Sequence, residues 1–351
     1  ALLIVNLAAS AQKKFSVYAV GFYNQENLFD TCHDEGKKDY EYLPNKGWNG
    51  MKYTNKLRNM SKALADMGTD VLPNVGCAFI GLSEVENHKV LDALVDQAPL
   101  KARNMKYVHI EGPDRRGIDC ALLYNPSLFS VKNVKLLPYV QELAKDSAFF
   151  TRGFLTVRGE MAGDDVAVIV CHWPSRFSGP FYRESAARQV KVIKDSLLNV
   201  NQEMKIFVMG DMNDDPVNKS MHVYLQAKPE ISQVGAGDMY NPWYNVLAKE
   251  GKGTLFYSGN WNLFDQIVIT PNLLNKDAKK KDYSSLKYWK SHIFRRDYLI
   301  QQEGQYKGAP LRTTAGGRWL NGYSDHLPVV MYLVNRPSAE PRSGGCSHCS
   351  A

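Results

Sequence analysis

Short apolar runs of strand length alternate along the chain with segments of helical spacing. Residues 15–23 form a first strand that ends on Asn24-Gln25-Glu26-Asn27. Leu57, Met60, Leu64 and Met67 then recur at helical intervals over residues 56–67, and Gly68 stops that helix. Residues 77–82 are a second buried strand, ending on Ser83-Glu84, with a helix over 88–97. Strands at 107–110 and 118–124 flank the turn Pro113-Asp114-Arg115-Arg116-Gly117. Strand pieces around one charged loop occupy 130–158. Residues 166–171 end on His172 and lead to a long helix over 184–198, with Ala186, Val190, Ile193 and Leu197 on one face. The run 205–210 turns abruptly polar at Asp211-Met212-Asn213-Asp214-Asp215-Pro216, and a short helix is expected over 220–226. A strand over 262–269 carries Asp265 near its start, and Ser324-Asp325-His326 precedes a last strand over 327–334. With no internal repeat and no linker between residues 15 and 334, this alternation predicts one α/β domain.

A chain of 351 residues, 44% hydrophobic and 23% charged, has ample material for a core, which excludes a disordered chain. The formal charge of +7 permits an anionic substrate without defining a site. Residues 1–14 hold a short apolar run and then Ala9-Ser10-Ala11, which reads as the end of a secretory signal peptide and so predicts a secreted or periplasmic protein. An apolar first strand is the alternative. No other stretch approaches the roughly 20 apolar residues of a membrane span. The six cysteines do not form a disulfide scaffold: Cys77, Cys120 and Cys171 sit in or beside apolar runs, as small buried hydrophobes do. Cys32 lies in a polar loop. Cys346-Ser347-His348-Cys349 closes a Pro-, Ser- and Gly-rich stretch over 335–351 that reads as a flexible tail.

Five strands deliver polar chemistry at one end: Asn24, Glu84, His172, Asp211 with Asn213, and Asp325 with His326; Asp265 opens a sixth. Each has an ordinary structural use taken singly, as an Asx turn, a carboxylate in a helix's first turn or a buried histidine. Taken together they mark a sheet edge of the kind that binds ligands in α/β proteins. Oxygen donors with two histidines suit a hydrated Mg²⁺ or Mn²⁺ better than a structural zinc. The chemistry this favours is hydrolysis of a phosphate ester, with charge neutralised by the metal, water activated by a histidine, and that histidine oriented by a carboxylate. Arg115, Arg116 and Arg176 lie beside these motifs as phosphate clamps, with Arg152 a further candidate. The basic and aromatic stretch 276–298 could stack bases or meet lipid headgroups, or be a solvated insertion with a few packed aromatics.

The ordered set Asn24-Gln25-Glu26-Asn27-Leu28, Ser83-Glu84-Val85-Glu86-Asn87, His172-Trp173-Pro174-Ser175-Arg176, Gly210-Asp211-Met212-Asn213-Asp214, Phe264-Asp265 and Ser324-Asp325-His326-Leu327-Pro328 resembles the endonuclease/exonuclease/phosphatase superfamily, in a bacterial secreted form. The resemblance spans residues 15–334. It implies a four-layer α/β/β/α sandwich with two face-to-face mixed β-sheets. It implies Glu84 as the main metal-binding carboxylate, Asn24 as a residue that positions metal or phosphate, and Asp325 as a second metal-side acid. Asp211 and Asn213 match the pair that orients nucleophile and phosphate, and His326 the catalytic histidine oriented by Asp265. His172 stands where the deoxyribonuclease branch carries a second catalytic histidine. The expectation is a Mg²⁺-dependent (or Mn²⁺-dependent) phosphodiesterase, first of all a nuclease, with a phosphoester substrate that could be nucleic acid and no protein partner to be inferred. A phosphomonoesterase or phospholipase C-like enzyme on sugar, inositol or lipid phosphates is the alternative, and a binding protein on the same scaffold a third reading. Substrate choice is left to the loops 31–50, 235–262 and 276–322.

Overall fold

The computed structural model describes residues 15–142 and 149–336. The signal-like segment 1–14 and the Cys346–Cys349 tail lie outside the described residues. Thirteen strands form two large sheets. The first runs, in spatial order, β14 (Lys287–Ile293), β17 (Val329–Asn335), β1 (Ser16–Leu28), β2 (Cys77–Val85), β4 (Asp119–Tyr124) and β3 (Lys106–His109). The second runs β5 (Ser130–Leu137), β6 (Phe154–Met161), β7 (Asp164–His172), β8 (Lys205–Asp211), β13 (Asp265–Ile269), β10 (Met239–Tyr240) and β9 (Ala227–Lys228). Both are mixed: β1 pairs with β2 in parallel but with β17 antiparallel, and β7 pairs with β8 in parallel but with β6 antiparallel. Two hairpins, β11 (Leu255–Tyr257) with β12 (Asn260–Asn262) and β15 (Thr314–Ala315) with β16 (Arg318–Trp319), stand outside the sheets.

Residue alternation sorts the central strands into layers. Val20, Phe22, Phe79 and Leu122 of the first sheet meet Val168, Val170, Phe207 and Met209 of the second in one central core. The alternate residues Ala19, Tyr23, Ile80 and Leu82 face outward to the helices α1 (Gly50–Asp66), α2 (His88–Val95) and α3 (Ala98–Ala102). On the far side Ala167, Ile169, Ile206 and Val208 lie under α4 (Pro180–Val200). The result is an α/β/β/α sandwich. Strands buried on both faces need side chains that are apolar at every position, which is why they read as continuous apolar runs. Gly81 leaves room for the second sheet: a Cβ there would lie 2.7 Å from Met209 Sδ.

Several boundaries differ from the periodicity. β1 does not end at Tyr23 but continues through Asn24 to Leu28, with a register shift against β2 after Asn24. The helix expected from residue 56 starts at Gly50, because Asn49 caps it by accepting from the Lys52 N–H. Its first turns, with only Met51 and Tyr53 among polar residues, carry no apolar period. The helix expected over 220–226 is a single π-helical turn, Ser220–Tyr224. The basic stretch 276–298 is tied into the first sheet: β14 within it pairs with β17, and Phe294 is among its packed aromatics, fully buried. Cys77, Cys120 and Cys171 are buried free thiols and Cys32 is exposed. Among the described residues no helix is long and apolar enough to cross a membrane.

Candidate active site

The polar ends of strands from both sheets meet at one edge of the sandwich. From the first sheet come Asn24 on β1 and Glu84 on β2. From the second come His172 at the end of β7, Asp211 at the end of β8 and Asp265 at the start of β13, while Asp325 and His326 lie on the approach to β17. β7 and β8 run parallel with His172 opposite Asp211, and β13 places Asp265 opposite Asp211 from the other side. Asn24 Nδ2 donates to Asp211 Oδ2 at 3.0 Å, a hydrogen bond that crosses between the sheets.

His326 Nδ1 lies 2.7 Å from Asp265 Oδ2, and that same oxygen accepts from Thr254 Oγ1 at 2.5 Å. This fixes the ring with Nε2 facing Asp211 Oδ2 at 3.8 Å and Asp325 Oδ1 at 3.9 Å. His172 Nε2 approaches the same Asp211 oxygen at 3.7 Å and Glu84 Oε1 at 3.9 Å. The two imidazoles are shifted in opposite directions. Burial opposes a charge on His326, but the carboxylates of Asp265, Asp211 and Asp325 outweigh it and hold its pKa well above the ordinary value. Burial, reinforced by Arg152, Arg116 and His326 itself, pushes His172 well below it. Burial also raises the Asp211 carboxyl, with His326 acting against the rise and Asp265 adding to it.

The donor set fits a hard divalent cation. Glu84, His172 and Asp211 could share one ion, as could Asp211, Asp265 and His326. The carboxylates differ in access. Glu84 and Asp325 side chains are 14% and 25% exposed, whereas Asp211 is 3% exposed and Asp265 fully buried, so an ion arriving with its water would reach Glu84 and Asp325 first. Glu84 uses one oxygen, Oε2, to accept from the Asn27 N–H at 2.9 Å, which turns Oε1 toward His172.

Asn213 closes the floor of the site. Its N–H donates to Asp211 Oδ1 and its Nδ2 to the Trp173 carbonyl, each at 2.9 Å. The arginines divide. Arg176 is taken up by its surroundings: it donates to Asp215 Oδ2, Asn218 Oδ1, Asn262 Oδ1 and the Asn213 carbonyl, and lies over the Phe264 ring, so it bolts the Asn213 loop to the β11–β12 hairpin. Arg152 is buried between Asp114 and the Trp173 carbonyl and holds the turn after His172. Arg116 is half exposed beside Asp114, and Arg115 lies over the Phe150 ring.

Two residues absent from the sequence-based set also face the site. Glu26 is 6% exposed, and its carboxylate accepts from Arg312 Nε at 3.2 Å and from the Thr313 N–H at 2.6 Å. Arg312 Nη2 reaches Asp325 Oδ2 at 3.3 Å, so one guanidinium ties both carboxylates. Glu26 stood in the quoted motif beside Asn24, a signal that could have found it. Arg312 sits in an irregular loop with no pattern to mark it.

Two face-to-face sheets thus share an edge that carries a histidine–carboxylate pair and a group of candidate cation ligands. The chain belongs to the Endonuclease/Exonuclease/phosphatase family, whose model matches residues 19–335. Members of this family hydrolyse phosphoesters. A search of curated proteins finds no match. Solved structures share the fold at low identity. An endonuclease/exonuclease/phosphatase family protein from Bacteroides thetaiotaomicron is 14% identical with a TM-score of 0.54, over 92% of this chain and 97% of that one. A mannosyl-6-phosphatase of the same organism is 14% identical with a TM-score of 0.54, over 90% and 99%. TDP2 of D. rerio complexed with a single strand DNA product is 11% identical with a TM-score of 0.52, over 91% and 99%.

Proposed function

We propose that this chain is a divalent-cation-dependent phosphoester hydrolase that acts as a phosphodiesterase, with nucleic acid as its first substrate class. The shared fold does not decide between ester types, since a mannosyl-6-phosphatase and a TDP2 bound to single-strand DNA product both adopt it. The observation that carries the reading is the pair of histidines that converge on one Asp211 oxygen, at 3.7 and 3.8 Å, with opposite pKa shifts. Titratable groups pushed apart in this way divide acid from base roles. Alkyl esters of either kind gain from both, because a leaving alkoxide is poor without a proton; the diester is placed first because His172 stands where the deoxyribonuclease branch carries its second histidine.

Glu84, with Asn24 and Asp325 at its margin, would hold the cation. A bound divalent ion supplies Lewis-acid neutralisation of the phosphoryl oxygens. His326, cationic and fixed through Nδ1 by Asp265, presents Nε2–H to a phosphoryl or leaving oxygen. That refines the expectation that His326 activates water. Asp211, with its carboxyl raised and one oxygen free of the Asn213 N–H, and neutral His172 are placed to accept a proton from the attacking water. Asn213 keeps Asp211 in orientation, and Arg116, which acts on His172, is with its neighbour Arg115 the candidate phosphate clamp.

The test compares bis(p-nitrophenyl) phosphate, p-nitrophenyl phosphate, plasmid DNA and sphingomyelin, each with Mg²⁺, Mn²⁺ or EDTA. Diester and DNA cleavage that EDTA abolishes is expected. His326→Ala should lower kcat by about 10²–10⁴-fold, and Asp265→Asn should follow it. Cleavage of monoester or sphingomyelin alone would move the assignment to the alternative branch. Activity that survives both EDTA and His326→Ala would overturn the site.

A further inference from the structure

Two cavities share a wall beside the catalytic edge. One, of about 820 Å³, includes Tyr257, Gln301, Arg312, Thr314 and Asp325 in its lining. The other, of about 500 Å³, includes Lys252, Trp261, Arg295, Lys307 and Leu327. Phe256, Gln305, Tyr306 and Ala309 line both, so the two form one trough that begins at Asp325, next to His326. Together they exceed the roughly 300–1,000 Å³ of a small-molecule site, which points to an extended ligand.

The banks are fixed. The β11–β12 hairpin is stitched to the catalytic segment by a bridge between Leu255 and His326 and by the Leu327 N–H donating to the Thr254 carbonyl at 2.8 Å. The opposite bank, residues 300–316, is held by a bridge between Ile300 and Pro310 and by the Gln301 N–H donating to Ala309 at 2.8 Å. Each bank offers an aromatic ring to solvent: Tyr257 is 71% exposed and Tyr306 52%. Between them Phe256 packs edge-on against Trp261 at 5.2 Å. Lys252, Arg295, Lys307 and Arg312 line the trough against only Glu250 and Asp325, so its charge is net positive.

We infer that this trough binds single-stranded nucleic acid and leads it to the catalytic edge. The inference rests on the phosphodiesterase reading and narrows its substrate class to unpaired strands. Exposed rings on both banks suit unpaired bases, because stacking needs a free π-face and a duplex keeps its bases stacked on one another. Net positive charge suits a phosphate backbone. Gln301, Gln305 and Thr314 make the lining too polar for an acyl chain.

The test measures fluorescence anisotropy of a labelled 12-nucleotide single strand, as DNA and as RNA, and of the same DNA sequence as a duplex. The full chain is used in EDTA so that no cleavage intervenes. Single strands should bind at least tenfold tighter than the duplex, with affinity falling steeply as salt rises. Tyr257→Ala and Tyr306→Ala should each weaken single-strand binding by about tenfold, with an unchanged melting temperature to show intact folding. Duplex binding equal to single-strand binding, or full affinity in a folded variant that combines Tyr257→Ala with Tyr306→Ala, would overturn the inference. Hydrolysis of bis(p-nitrophenyl) phosphate by a protein that binds no oligonucleotide would sink the trough alone; oligonucleotide binding without hydrolysis of any ester would sink the phosphodiesterase reading instead.

Discussion

Lys56 places a positive charge where water does not reach it. Its Nζ donates to Thr313 Oγ1 at 2.6 Å and to the Tyr323 carbonyl, so it ties α1 to the segment that carries Arg312 and Asp325. Burial lowers its pKa to about 8, with Glu26, Asp325 and Glu84 pulling the other way. Below that pKa the folded chain bears the constant cost of a buried ammonium. Between about 8 and the ordinary 10.5 the unfolded chain holds the proton and the folded chain does not, so stability from this group rises with pH. Urea titrations of wild type and Lys56→Met at pH 7 to 10 should show a stability difference that shifts in favour of wild type as pH rises, by at most about 3 kcal/mol. A difference flat in pH would refute the buried, depressed lysine. Such a residue is illegible in sequence: Lys56 merely opened an apolar helical period, with nothing to mark it as buried. His326 and Asp265 stood out only as members of an ordered set of polar strand ends, since each taken singly has an ordinary structural use.

The elements put strain at the working edge. Glu26, Asn27, Glu84 and Asn213 all have positive φ, at 45°, 57°, 59° and 49°. Non-glycine residues in that region cost about 1–3 kcal/mol each and persist where neighbours hold them. The neighbours are visible: Asn24 Oδ1 accepts from the Glu26 N–H, Glu84 Oε2 from the Asn27 N–H, and Asp211 Oδ1 from the Asn213 N–H. These bulges break the period-2 alternation, which is why an apolar count ended β1 at Tyr23 although the strand runs on to Leu28. Gly210 meets a different constraint. A Cβ there would lie 2.2 Å from the Cys171 carbonyl oxygen, so a methyl group would force β7 and β8 apart just where they present His172 and Asp211. Gly210→Ala should cost about 1–3 kcal/mol in urea unfolding and lower kcat on the diester at the same time. A variant within about 0.5 kcal/mol of wild type and fully active would show that the backbone yields without moving the site.

At the scale of the whole molecule, neither sheet contains the site. Asn24 and Glu84 come from one sheet, His172, Asp211 and Asp265 from the other, and Asp325 and His326 from the segment entering β17. The order of the motifs made that convergence readable, because six polar strand ends can meet only if the strands run to a common edge. The trough was not readable, since the hairpin and the 300–316 loop that build it have no periodicity. A site divided between sheets links cation binding to the stability of the sandwich: an ion held by Glu84 beside Asp211 would brace the two sheets against each other and bind the folded chain only. At about 100-fold excess over its Kd, such an ion stabilises by about 2.7 kcal/mol, which for a domain of this size is several degrees in Tm. Mg²⁺ or Mn²⁺ added to EDTA-treated protein should therefore raise Tm in differential scanning calorimetry. Glu84→Gln should abolish the rise while keeping the hydrogen bond from the Asn27 N–H, because a carboxamide oxygen still accepts it. A Tm indifferent to both ions, or a rise that persists in Glu84→Gln, would place the cation elsewhere and remove Glu84 from the catalytic scheme.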